Sequence, residues 1–115
     1  MRHPKFEILV GKDNKFEFRL KALNGEPVLF GPGFCSKSEV VHAISNVMYH
    51  GISNARYVQK ETADGRFYYQ LKSPIGRLLG WSEYFHSRQT MLSGIRAARA
   101  AAKSAQVIDF AIASK

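Results

Sequence analysis

The chain has 115 residues, 45% of them hydrophobic, which suits one packed domain and excludes wholesale disorder. Seventeen Lys and Arg against nine Asp and Glu give a net charge of +8, a balance that favours polyanionic partners. A single cysteine excludes an internal disulfide, and no apolar run approaches the roughly 20 residues of a membrane helix, so a cytoplasmic protein with no membrane association is expected.

The elements follow in chain order. Phe6–Val10 reads as a short strand, and Gly11-Lys12-Asp13-Asn14-Lys15 as a turn, because Asp and Asn tolerate left-handed backbone. From Lys15 to Ala22 the sequence alternates, with Phe16, Phe18, Leu20 and Ala22 on one face and Lys15, Glu17, Arg19 and Lys21 on the other. That is the period of a half-buried strand. Asn24-Gly25 is a strong hairpin signal, Val28–Phe30 returns as a third strand, and Gly31-Pro32-Gly33 ends it. Ser36 with Glu39 forms a capping box ahead of a helix whose apolar line is Val40, Ala43, Ile44, Val47 and Met48, with Gly51 as its stop. The scheme then recurs. Tyr57–Thr62 is a strand, Ala63-Asp64-Gly65 a turn, Arg66–Ser73 an alternating strand, Ser73-Pro74-Ile75-Gly76 a turn, and Leu78–Trp81 a third strand. Ser87 caps a second helix with apolar line Met91, Ile95, Ala98 and Ala102, and Val107–Ile112 reads as a last strand.

The recurrence is an internal repeat. A shift of 51 positions superposes Asp13 on Asp64, Phe16 on Phe67, Leu20 on Leu71, Lys21 on Lys72, Gly25 on Gly76, Phe34 on Phe85, Ser36 on Ser87 and Ile44 on Ile95, without a gap. A fixed period near 50 residues marks a repeated supersecondary unit. Each unit alone is near the size at which a core is marginal without metals, disulfides or a partner, so the two are expected to share one core. Residues 1–115 are therefore read as one α+β domain of two repeats, 5–54 and 55–112. The expected architecture is tandem β3-α-β units in one antiparallel sheet, with both helices on one face and an internal pseudo-two-fold in a monomer. The segment 55–62 must close the first unit and open the second, and its register stays open.

At Phe18-Arg19-Leu20-Lys21-Ala22-Leu23-Asn24-Gly25-Glu26, at Phe34-Cys35-Ser36-Lys37 and at Gly94-Ile95, the chain resembles the YegP-like family, small bacterial domains of unknown function usually found as tandem copies. The resemblance covers residues 5–111. It implies a β3-α-β unit whose paired copies form one sheet and exchange their C-terminal strands. The first copy departs from the family pattern at Gly31-Pro32-Gly33, where Ser-Glu-Gly is common, and the second has lost the Asn before Gly76.

What matches between the copies is core, turn and cap rather than reactive groups. The charge excess is concentrated in the second copy, where no acid lies between Glu83 and Asp109 while Arg88, Arg96, Arg99 and Lys103 do. Arg96, Arg99 and Lys103 share one helical face, with Arg88 two turns earlier, as a ridge for phosphates or a plainly solvated face. The outer side of the alternating strands offers Arg66, Tyr68 and Lys72 beside Lys15, Arg19, Lys21 and Gln70. Bases interleaved with an aromatic serve single-strand binders, but alternation supplies only one outward aromatic, Tyr68. Phe30, Phe34, Trp81 and Phe85 read as core. Cys35 aligns with His86 just before the two caps, without a partner arrangement for a nucleophile. His3, His42, His50 and His86 lack zinc-pair spacing, and neither phosphate-loop nor dinucleotide-binding glycine motifs occur. The expectation is a non-catalytic chain with no cofactor and no metal, a protein-interaction or structural module whose partner stays open between nucleic acid and an acidic protein. Weak, non-specific nucleic-acid or polyanion binding through the basic residues of the second repeat is the alternative.

Overall fold

The computed structural model describes residues 3–113. Its strands are β1 (Lys5–Val10), β2 (Phe16–Lys21), β3 (Pro27–Phe30), β4 (Tyr57–Glu61), β5 (Phe67–Lys72), β6 (Leu78–Trp81) and β7 (Gln106–Asp109), and its helices are α1 (Lys37–His50) and α2 (Arg88–Ser104). The strands form one sheet in the order β4-β5-β6-β3-β2-β1-β7.

Local chemistry accounts for the punctuation. Gly25, Gly65 and Gly76 turn their hairpins at φ near +87°, a conformation in which a Cβ is strained, and the Asn24 side chain accepts a bond from the Glu26 N–H at 3.0 Å. Asn14 takes φ 58° in the first turn. The capping box forms as read: Ser36 accepts from the Glu39 N–H at 3.2 Å, and the Glu39 carboxylate accepts from the Ser36 N–H at 3.1 Å. Ser87 caps α2 by accepting from Thr90. Gly51 ends α1 in right-handed backbone, so its reason is space rather than a left-handed turn. A Cβ there would stand 2.5 Å from the Val47 carbonyl oxygen and 3.0 Å from Ala102 of α2.

Both helices lie over one face of the sheet. Val40, Ile44 and Val47 of α1 and Met91, Ile95, Ala98, Ala101 and Ala102 of α2 are buried with Phe6, Ile8, Phe18, Leu20, Leu29, Tyr69 and Leu71 in one continuous cluster. Phe16, Phe34, Phe67 and Phe85 pack against it partly buried, in two equivalent bridges, Phe16 to Phe34 and Phe67 to Phe85.

The repeats meet where β3 pairs with β6, antiparallel, through Phe30 and Trp81. These two residues are 51 apart, so each is the other's equivalent, and a local two-fold axis passes between them. Gly80 permits the approach, since a Cβ there would sit 2.8 Å from the Phe30 carbonyl oxygen. Across the same seam the buried Tyr69 hydroxyl donates to the Val28 carbonyl. Burial pushes the Tyr69 phenol far above its ordinary pKa, and Tyr57, whose hydroxyl donates to the Gly51 carbonyl at 2.8 Å, is raised for the same reason.

The last strand crosses over. β7, from the end of the second repeat, lies parallel to β1 of the first, with Phe6 opposite Val107 and Ile8 opposite Asp109. The sheet is thus antiparallel except for this one parallel pair. The expected strand at 107–112 is shorter and one residue earlier. The Asp109 side chain accepts from the Ala111 N–H at 2.9 Å and turns the chain into a 3-10 segment at Phe110–Ala113. The ambiguous segment resolves as β4, paired among the described residues only with β5, from Tyr57 opposite Leu71 to Glu61 opposite Phe67.

Candidate functional site

With both helices on one face, the other face of the sheet stays open among the described residues. The pairing fixes which side chains it carries. Leu20 and Leu71 point to the helices, so Arg19 and Gln70 point away, and their partners Phe30 and Trp81 follow them. This corrects the reading of Phe30 and Trp81 as core. They are only partly buried and sit side by side on the open face at the repeat seam, whereas Phe34 and Phe85 do pack on the core. It also corrects the count of outward aromatics. The four-residue strands β3 and β6 are too short for alternation to declare a face, and a register irregularity after Leu20 and after Leu71 obscures it further.

Tyr68 projects from β5 on the same face, and Tyr84, in the loop after β6, sets its ring edge-on at 5.5 Å from that of Tyr68. Phe30, Tyr68, Gln70, Trp81 and Tyr84 line one shallow depression, with Glu83 at its rim. Arg66 covers the Tyr84 ring at 4.1 Å and pairs with Asp64 at 3.2 Å, so its guanidinium is held beside the aromatic group. Hydrogen bonds from Thr62 and Arg66 hold the Asp64 carboxyl below its usual range.

The two halves of this face differ in charge. In the first repeat Glu7 is nearly buried between Arg19, whose Nε donates to it at 2.6 Å, and Lys21 at 3.4 Å. Burial alone would raise its carboxyl, but the Arg19 hydrogen bond and the charges of Arg19 and Lys21 outweigh it and hold the group below the usual carboxylate range. The equivalents of Glu7, Arg19 and Lys21 in the second repeat are Val58, Gln70 and Lys72. The carboxylate is gone, and among the described residues no acid lies within ion-pair distance of Lys72. One half is a closed ion triad, and the other is an apolar and aromatic surface with an unpaired lysine.

The candidate residues singled out in sequence therefore fall into two groups on opposite sides of the sheet. Arg66, Tyr68 and Lys72 share the open face. Arg88, Arg96, Arg99 and Lys103 belong to α2 on the covered side, and they differ among themselves. Arg88 stacks over Phe67 at 5.1 Å and reaches Glu61 and Gln59 of β4 at 3.7 and 3.4 Å. Arg99 donates to the Ile52 carbonyl at 3.3 Å, while Arg96 and Lys103 are exposed. Sequence reading missed Phe30, Trp81 and Tyr84 as surface residues. The signal that could have found two of them is the lone outward-facing register of Arg19 and Gln70.

Cys35 is exposed and His86 likewise, and among the described residues no group of three or more His, Cys, Asp or Glu could hold a metal ion. A second depression, between α1 and β6, is lined by Glu39, His42, Asn46 and Arg77, but Glu39 is already spent on the cap of α1. No helix among the described residues is long and apolar enough to cross a membrane.

Two stretches of the chain, residues 12–57 and 63–109, match the family described as domain of unknown function (DUF1508). The chain is 33% identical over 104 residues to UPF0339 protein YegP of Escherichia coli K12, covering 90% of this chain and 94% of that protein. It is 31% identical to a UPF0339 protein encoded upstream of the ptx operon in Stutzerimonas stutzeri, with the same coverage. The solution structure of YegP from E. coli, a protein of unknown function, superposes with a TM-score of 0.87 over 96% of this chain and 95% of that one, at 31% identity. The solution structure of the UPF0339 protein SO3888 from Shewanella oneidensis superposes with a TM-score of 0.85 over 92% and 90%, at 25% identity.

Proposed function

This chain belongs to the YegP-like family of tandem DUF1508 domains, and on that premise we propose that it is a non-catalytic module that binds single-stranded nucleic acid on the helix-free face of its sheet. The observation that carries the reading is the cluster of Phe30, Tyr68, Trp81 and Tyr84 on one open face, flanked by Arg66 and Lys72. Bases stack on aromatic rings regardless of sequence, and each stacked base contributes about 1–3 kcal/mol, while cations at the margin take the phosphates. Duplex would be refused, since its bases are not free to stack. The net charge of +8 speeds encounter, and Arg96 and Lys103, on the far side, add to the field without touching the strand. A monomer in the cytoplasm, where Cys35 stays reduced, suits this role.

The test is a comparison of two polyanions. A single-stranded oligonucleotide of about ten residues should bind full-length protein at least about tenfold more tightly than polyphosphate of equal charge, because only the former can stack. Equal affinity for the two would reduce the face to a charge patch and reject the stacking reading. Protein interaction, the other reading of the sequence, finds its support on a different surface.

A further inference from the structure

The repeat symmetry leaves one position in the sheet unfilled. Under the two-fold, β4 corresponds to β1, β5 to β2 and β6 to β3. β1 has β7 beside it, whereas among the described residues β4 has no neighbour on its outer side, because the segment equivalent to β7, Ala55–Val58, is itself the approach to β4 and its first two residues. We propose that the outer edge of β4 is a docking site for an extended segment of another polypeptide, laid parallel to β4 and bearing an acidic side chain opposite Gln59.

The β1–β7 pair is the template. There, Lys37 at the first turn of α1 lies over the Phe16 ring at 5.8 Å and reaches the Asp109 carboxylate at 2.9 Å, fastening β7 to the sheet. Asp109 stands opposite Ile8. Each part recurs 51 residues on: Arg88 for Lys37, Phe67 for Phe16, Gln59 for Ile8. Arg88 already stacks over Phe67 at 5.1 Å and already reaches Gln59 at 3.4 Å. Its only acid among the described residues is Glu61, at 3.7 Å with both side chains more than half exposed. Such a pair contributes little and is readily exchanged for a better-placed carboxylate. An incoming strand with its acid opposite Gln59 would meet the guanidinium as Asp109 meets Lys37.

The edge is built for reversible occupancy. Where β1 carries Ile8, Leu9 and Val10, β4 carries Gln59, Lys60 and Glu61, all exposed. Polar and charged side chains keep an open edge soluble and guard it against indiscriminate strand pairing. Main-chain hydrogen bonds would supply affinity, and the Arg88 contact would supply selectivity for an acid at one place. The occupant is thus a short extended segment of the pattern polar, apolar, apolar, acid, as in Gln106-Val107-Ile108-Asp109.

The experiment titrates an end-blocked peptide with the sequence of residues 104–111 into isotopically labelled full-length protein and follows backbone amides. Saturable shifts at Tyr57–Glu61 are expected. Asp109→Asn in the peptide, or Arg88→Ala in the protein, should weaken binding about tenfold or more, the scale of one hydrogen bond to a charged group. Arg88→Lys should retain binding, since lysine does this work in the first repeat. Shifts at Lys5–Val10 instead would mean that the peptide merely displaces β7, and would overturn the proposal. So would the absence of saturable shifts, or equal binding by the Asp109→Asn peptide. Self-association of the chain alone that Arg88→Ala abolishes would assign the edge to a second copy and likewise overturn it.

Discussion

Phe30 and Trp81 are equivalent residues of the two repeats and direct cross-strand partners, the point through which the local two-fold passes. An antiparallel pairing of a residue with its own equivalent places both side chains on one face, so duplication itself doubled an aromatic at the middle of the sheet. Tyr68 and Tyr84 then extend the cluster on one side only, because their equivalents in the first repeat are Glu17 and Gly33. The symmetric part of this surface comes from the fold, and the asymmetric part from divergence of the second copy.

If the open face is the binding surface, charge reversal there should matter more than on α2. Arg66→Glu with Lys72→Glu should abolish oligonucleotide binding at moderate salt, as measured by anisotropy. Arg96→Glu with Lys103→Glu should weaken it only through the general field, an effect that added salt erases. Arg99 is left out because its bond to the Ile52 carbonyl gives it a structural part.

The two helices should be equally necessary. Ile44→Ala and Ile95→Ala each remove buried side-chain volume at equivalent positions and should each destabilise by about 2–5 kcal/mol in denaturant unfolding. We further propose that neither repeat folds alone, since β7 completes the edge of the other repeat and Tyr69 bonds to Val28 across the seam. A cooperative transition in a monomeric fragment 1–54 or 55–115 would contradict it.

Tyr69 and Gly94 are a coupled pair. The Tyr69 hydroxyl also reaches the Gly94 carbonyl, and its ring stacks on Phe85 at 6.0 Å, leaving no room for a Cβ at Gly94: one would sit 2.8 Å from Phe85 and 3.2 Å from Tyr69. The first repeat uses Phe18 and Ala43 at the same places. Tyr69→Phe leaves the Val28 carbonyl unsatisfied, and Gly94→Ala overpacks the site, each costing about 1–3 kcal/mol. The double variant reproduces the first repeat's pair and should cost clearly less than the sum.

Acid should weaken the first repeat's face. The Glu7 carboxyl is held below its ordinary range, so its contribution is fully present above its unfolded-state value and is lost as pH falls through the lower folded value. Glu7→Gln should lower stability by about 1–2 kcal/mol at neutral pH and flatten the decline on acidification, as read from melting temperature across pH 2–6.

Most of the architecture was legible because the 51-residue shift and the alternation of Phe16, Phe18 and Leu20 are local signals repeated twice. Caps at Ser36 and Ser87 and turns at Asn24-Gly25 could be read residue by residue. The seat of β7 beside β1, a pairing across about 100 residues, has no local signal and followed only from the family resemblance, which implies exchanged C-terminal strands. Two matters could not be read. The end of β7 depends on a side-chain bond made by Asp109. The exposure of Phe30 and Trp81 depends on register between repeats, which hydrophobicity alone assigns to a core. The candidate residues were half visible: alternation marked Arg66, Tyr68 and Lys72, while the grouping of Arg88 with Arg96, Arg99 and Lys103 on helical spacing concealed that Arg88 belongs to the β4 edge.

Trp81 is the chain's single tryptophan and lies at the centre of the aromatic cluster, so its fluorescence reports directly on the face in question. On titration of the native protein with a single-stranded oligonucleotide, the expected result is saturable quenching of Trp81, retained in Arg96→Glu with Lys103→Glu and lost in Arg66→Glu with Lys72→Glu. Oligonucleotide binding, measured by anisotropy, that leaves Trp81 emission unchanged would place the ligand elsewhere and contradict the assignment of the open face.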